Sequence, residues 1–202
     1  MSLYITKSSF YQPSLENPSE MPKLEYCDPL FKRRLSQISR MTIEALHGLG
    51  DEVLDSKLVF ASFRGEIARQ LKMNKMLVED QDVMPAAFSI SVFNTPAAAA
   101  TIALKMKSGY TCVYPSEDNF KSAFISAAAP VLCGDEKKIV FAYADELVPE
   151  EYKNCAGYTD KLPLAFAVVL SSQKSENAVE ITLDSPELAS PDAFLEILKK
   201  VC

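Results

Sequence analysis

Met84–Ala129, MPAAFSISVFNTPAAAATIALKMKSGYTCVYPSEDNFKSAFISAAA, is the stretch on which the fold turns. An apolar alternating run opens it, and an Ala-rich helix follows. A turn at Lys107-Ser108-Gly109, a short strand and a second Ala-rich helix complete it. A strand feeding through Pro115-Ser116 into a helix has the geometry of a nucleophile elbow, where helix N-terminal amides face whatever sits at the bend. The elbow carries no good nucleophile. The alanines Ala97–Ala100 and Ala127–Ala129 let a helix approach a sheet or another helix closely. That serves close packing inside one domain, or a helix buried on several sides, a second subunit included.

Working outward, 202 residues with 48% hydrophobic side chains suffice for one large domain with its own core. A net charge of −6 excludes a nucleic-acid surface, since Lys32-Arg33-Arg34 is the one basic cluster and reads as a solvated helix start. The opening MSLYITKSSF alternates polar and apolar residues, which is neither a signal peptide nor a membrane span. Five scattered cysteines (Cys27, Cys112, Cys133, Cys155, Cys202) match no C-x-x-C spacing and suit reduced thiols in the cytoplasm. No metal site and no cofactor motif is indicated.

From the N-terminus, Ser2–Phe10 reads as a strand, and Gln12–Asp28, with three prolines, as a surface loop. Leu35, Ile38, Met41, Ile43, Ala45, Leu46 and Leu49 recur at helical spacing, with Gly48 and Gly50 as the stop. His47, the only histidine, falls in the last helical turn, where the macrodipole favours a cation. Lys57–Phe63 (KLVFASF) is a buried strand. Arg64-Gly65-Glu66 then opens a helix with Ile67, Leu71, Met76 and Leu77 along one side. Neither G-x-G-x-x-G nor G-K-[ST] occurs, which disfavours nucleotide binding. Lys138–Ala144 (KIVFAYA) and Pro163–Ser171 (PLAFAVVLS) are strands joined by an acidic loop, Asp145–Asp160. A weaker strand at Val179–Leu183, a punctuating segment Asp184–Ser190 and a short helix at Pro191–Val201 close the chain. Alternating strands and helices give an α/β layered sheet.

Several of these segments, in this order, resemble the N-terminal half of β-ketoacyl synthases. More narrowly, they resemble the truncated chain-length-factor-like homologues of bacterial aryl-polyene-type gene clusters. The residues that carry the resemblance are Arg33–Met41 (RRLSQISRM), Val59–Ser62 (VFAS), Phe88–Asn94 (FSISVFN) and Pro115–Phe120 (PSEDNF). The resemblance implies a single thiolase-like half fold over residues 1–202, with 175–202 as a C-terminal extension. Its sheet is five-stranded and mixed, with helices on both faces, built from Ser2–Lys7, Lys57–Phe63, Tyr110–Tyr114, Lys138–Ala144 and Pro163–Ser171. The implied order is 3-2-1-4-5 with the fifth strand antiparallel.

In such synthases a cysteine attacks from the first half's elbow and two histidines act from the second half. Here Ser116 stands at the nucleophile position, the second half is absent, and Cys112 lies inside the strand. A serine hydroxyl gains little from a helix N-terminus and needs a base. Glu117 and Asp118 oppose an anion developing at that spot. Ser116 therefore reads as an N-cap, and the catalytic set as empty. The resemblance implies a non-catalytic subunit that forms a heterodimer with a full-length β-ketoacyl synthase in type II fatty acid or polyketide biosynthesis. It also implies contact with acyl carrier protein, and a homodimer when the synthase is missing. Tyr110, Thr111, Cys112, Val113 and Tyr114 are the implied interface strand, flanked by helices at Pro96–Met106 and Asn119–Ala129. Phe88, Ile90, Val92 and Phe93 are the implied tunnel-lining residues. The alternative is a small Ser116-dependent acyl transferase or hydrolase acting on acyl carrier protein thioesters, with His47 as base and Glu117 as its orienter.

Overall fold

The computed structural model describes residues 2–116, 119–155 and 161–201. Six strands form one sheet: β1 Leu3–Tyr11, β2 Leu58–Ala61, β3 Tyr110–Val113, β4 Lys138–Asp145, β5 Leu164–Ser171 and β6 Val179–Ile181. Their order is β3-β2-β4-β5-β1-β6. β2 is parallel to β3 and to β4, whereas β5 runs antiparallel to both of its neighbours, β4 and β1. β6 is antiparallel to β1 and extends the sheet beyond it. The helices are α1 Pro29–Lys32, α2 Gln37–His47, α3 Ile67–Glu79, α4 Pro85–Phe88, α5 Thr95–Ala103, α6 Phe120–Leu132 and α7 Pro191–Val201.

β4 and β5 show how sequence alternation builds two unlike faces. Ile139, Phe141 and Tyr143, with Leu164, Phe166, Val168 and Leu170, point toward α6 and α7. There they meet Phe120, Phe124, Phe194 and Leu198. The ring of Phe120 lies 5.5 to 6.0 Å from those of Phe141, Tyr143, Phe166 and Phe194, within the range of favourable edge-to-face and tilted pairs. On the opposite face Ala142, Ala144, Ala165 and Ala167 meet α2 and α5 through Ile38, Met41, Ala97 and Ala100. Small strand residues under an Ala-rich helix let α5 pack closely on α2, and Ala97, Ala99, Ala100, Ala127 and Ala128 are buried within this domain while Ala129 is exposed. Gly48 ends α2 so close to β1 that a Cβ would lie 2.0 Å from Ser9 Oγ, which leaves no room for another residue.

Two features of the expected sheet are corrected. It has six strands, because Val179–Ile181 pairs with β1. β1 also lies beyond β5, so β2 pairs directly with β4 and the order is not 3-2-1-4-5. Burial explains the swap: β4 is covered on both faces almost throughout, as a central strand must be, while most of β1 is only partly covered. The antiparallel fifth strand is as expected. Lys32 ends α1, and Arg33 and Arg34 lie exposed in the turn before α2, so the basic triplet closes a helix and does not open one. Phe194, Leu195 and Leu198 of α7 are buried in the aromatic core. Among the described residues no helix is long and apolar enough to cross a membrane.

Candidate functional site

β3 ends the sheet, so its outer edge has no strand beside it among the described residues. Tyr110 and Thr111 are exposed, Cys112 and Val113 half-buried, and Tyr114, just past the strand, is 66% exposed. A row of unpaired backbone groups at a sheet edge is a template for another strand. Beside it lies a cavity of about 500 Å³ lined by Tyr110, Thr111 and Val113 on the strand and by Ser126 and Pro130 on α6. The exposed side of α6 carries Ile125, and that of α5 carries Ile102 at 68% exposure. The interface residues expected from sequence thus form one continuous border of the sheet with the adjoining helices.

The segment 84–94 runs up to this border. Its apolar alternation yields α4 and a series of turns, since Pro85 starts a helical turn and no neighbouring strand pairs with Phe88–Asn94. Arg69 of α3 holds the segment: one guanidinium nitrogen donates to Ile90 O at 2.8 Å, another donates to Arg34 O, and Nε lies 3.4 Å from Glu66 Oε2. Asn94 Nδ2 donates to the Tyr110 hydroxyl at 3.1 Å, which ties the segment to β3. Phe88 is 56% exposed. Ile90 and Val92 line a groove of about 410 Å³ with Phe31, Leu35 and Ile102. Phe93 turns the other way and packs against Phe60 and, edge-on, Tyr114. Of the four expected tunnel residues, three face a groove or solvent and one is seated in the fold.

At the elbow the structure corrects the sequence. β3 stops at Val113 and α6 starts at Phe120, so strand and helix are not directly joined. The N-cap is Asn119, whose side chain accepts from Ser122 N–H at 3.1 Å; Ser116 is exposed and contributes its carbonyl to Asn119 N–H at 2.9 Å. The helix starts where Phe120 must enter the aromatic core, and Asn, as good a cap as Ser, stands one residue before it. Glu117 and Asp118 lie outside the described residues. Cys112 packs toward the α2 and α5 face, and burial pushes its thiol up to about 11, so it stays protonated and unreactive at neutral pH. His47 is the last residue of α2 and stacks flat on Tyr26, with ring centroids 3.7 Å apart; nothing in these contacts connects it to Ser116.

Sequence reading missed a cluster of buried carboxylates beside this site. Glu66 accepts from Ser36 Oγ and Ser39 Oγ, both at 2.7 Å. Glu146 accepts from the N–H groups of Ala68 at 3.0 Å and Ile38 at 3.4 Å, in the first turns of α3 and α2. Burial raises the proton affinity of both. For Glu146 burial, seconded by the Glu66 charge, lifts the pKa to about 7. Asp145 Oδ1 accepts from Ser62 Oγ at 2.7 Å and from the N–H groups of Phe63 and Arg64 at 3.1 Å, and it organises the turn after β2. The available signal was Asp145-Glu146 directly after an apolar strand, a place where carboxylates meet helix N-termini in layered sheets.

An exposed edge strand on a mixed sheet, a serine at the bend and helices on both faces frame the comparison with known proteins. The sequence model described as "Beta-ketoacyl synthase, N-terminal domain" matches residues 8–193. The chain belongs to that family. The fold of this ketosynthase-family chain is similar to that in the complex of the ketosynthase ApeO with its chain length factor ApeC from Xenorhabdus doucetiae. There the TM-score is 0.69 at 23% identity, over 87% of this chain and 81% of the other. It is similar also to the ishigamide ketosynthase/chain length factor, with a TM-score of 0.67 at 13% identity over 87% of this chain and 64% of the other. A β-ketoacyl synthase from Burkholderia phymatum STM815 gives 0.60 at 14% identity, over 84% of this chain and 59% of the other. The ketosynthase-family chain thus spans less than two thirds of the second and third of these. At such identities the likeness is one of fold. No curated protein sequence matches.

Proposed function

We propose that this chain is a non-catalytic, chain-length-factor-like subunit. On this reading it pairs with a full-length β-ketoacyl synthase and shapes the synthase's acyl tunnel in type II fatty acid or polyketide biosynthesis, of the aryl polyene kind, in the cytoplasm. The observation that carries it is the open edge of β3, bordered by the exposed faces of α5 and α6, in a synthase-family chain whose elbow holds an exposed Ser116 and whose one histidine stacks on Tyr26. Pairing through Tyr110–Tyr114 would extend the sheet across the two chains and cover Tyr114, Ile102 and Ile125. Stable permanent interfaces bury roughly 2,000 to 5,000 Å² and are richer in apolar surface than ordinary exteriors, which suits these helices. Phe88, Ile90, Val92 and Phe93 are the proposed tunnel-facing residues, and acyl carrier protein delivers the chain to the pair.

The test is co-expression with neighbouring synthase candidates, mass measurement by size exclusion, and product analysis of the reconstituted pair. A one-to-one complex that makes products neither chain makes alone supports the reading. Failure of any synthase candidate to bind at micromolar concentration removes it.

A further inference from the structure

We propose that Gly65 is a positioning residue for Phe93, setting how far that ring reaches toward the partner's acyl chain; the tunnel half of this statement rests on the function proposed above. Gly65 has φ +58°, and a Cβ built on it would lie 2.8 Å from Phe93 Cδ2 and 3.4 Å from Cε2. The ring therefore rests on the bare α-carbon. The turn beneath it cannot retreat, because Ser62 Oγ accepts from Gly65 N–H at 2.7 Å while donating to Asp145 Oδ1 at 2.7 Å. Asp145 is anchored in turn by the Tyr143 hydroxyl at 2.5 Å. Phe60 bounds the ring on a second side, with centroids 6.3 Å apart, and is fully buried in the sheet. The third neighbour, Tyr114, meets the ring edge-on at 5.6 Å and is the exposed, yielding side. Any side chain at position 65 thus drives Phe93 toward Tyr114 and the open border of β3.

The ligand chemistry is that of a hydrophobic acyl chain carried as a thioester by the partner, with Phe93 as its terminal wall and Gly65 as the stop behind the wall. The experiment compares Gly65→Ala, Phe93→Ala and the double variant. In the free chain, assigned aromatic NMR of Phe93 and Tyr114 should show both rings shifted in Gly65→Ala. Gly65→Asn adds the same Cβ with a residue that tolerates positive φ, so it should reproduce the shift with less backbone strain. Unmoved rings in a folded variant overturn the positioning claim whatever the partner does. In the reconstituted pair, Gly65→Ala should shorten the products, Phe93→Ala should lengthen them, and the double variant should match Phe93→Ala alone. An equal effect of Gly65→Ala in both backgrounds overturns the proposal, since it would then act without Phe93. Unchanged product length in Phe93→Ala with an intact heterodimer refutes the tunnel reading, and the NMR comparison decides the positioning claim separately.

Discussion

Replacing Glu146 by Gln tests whether the buried carboxylates cost the fold stability at neutral pH. Glu146 is 4% exposed and faces Glu66 and Arg69, with Ile38 and Ala68 N–H groups as its hydrogen-bond donors. In the fold its pKa stands near 7, against an ordinary value of 4.5. The folded chain therefore keeps this proton through a window in which the unfolded chain has released it, and stability falls as pH rises from about 4.5 through about 7. A gap of that size corresponds to roughly 3 kcal/mol once the group is fully ionised in both states. Gln resembles the protonated acid and keeps an oxygen for Ala68 N–H. What it gives up is the longer contact to Ile38 at 3.4 Å. Urea unfolding of both proteins from about pH 5 to pH 8 should show Glu146→Gln gaining on the parent by up to roughly 3 kcal/mol toward the alkaline end. Asp145, whose proton affinity burial also raises, is present in both proteins and largely cancels, whereas Glu66 is coupled to Glu146, so the pH dependence removed by the substitution belongs to the pair. A difference that stays flat across that range would refute the reasoning.

Ser116→Cys in the isolated chain should give no condensing activity above a Ser116→Ala control, because a thiol restored at an exposed bend still has no histidine against it; carrier-protein-linked substrate turnover measures this. Thr111→Lys should weaken binding to the synthase partner, since a charge on the open edge of β3 opposes strand pairing, and calorimetric titration against the unaltered chain reads the change. Ala100→Leu, at a fully buried position beneath α2, should lower the free chain's stability by about 1–3 kcal/mol through overpacking, read as an earlier urea midpoint. Phe120→Ala should cost about 3–5 kcal/mol by removing the ring at the centre of the aromatic face, and an unchanged midpoint would contradict the packing described.

The strands at Lys57–Phe63, Lys138–Ala144 and Pro163–Ser171 were legible because each is a short β-branched and aromatic run; the structure trims the first to Leu58–Ala61 and the third to Leu164–Ser171 and extends the second to Asp145. The place of β1 was not legible from pattern. Its half-polar run TKSSF marks a strand near an edge, but the implied family order put it in the centre. Ser116 and Asn119 are both good caps, and local chemistry alone does not choose between them. The choice is tertiary, made by the register that buries Phe120, Ala123, Phe124, Ala127, Ala128 and Val131 together. The carboxylates Glu66 and Glu146 do not stand out in sequence because their partners are backbone groups and hydroxyls of distant elements, which only folding assembles. The open edge at Tyr110–Tyr114 came from the resemblance, and strand order now gives it physical grounds.

The uneven sheet also sets where the molecule can yield. Alanine has no rotamers to rearrange, so α5 and the strand alanines that face α2 are held at spacings their backbones set. On the opposite face large rings interlock, and that layer resists as well. α3 is different: none of its residues is fully buried, and it is tied to the segment 84–94 by its contact with α4, by Arg69 to Ile90 O, and by Gln70 and Met73 to Ser91. Among the longer helices α3 is thus the one held without a buried side chain, and its amides are the first expected to open in the folded chain.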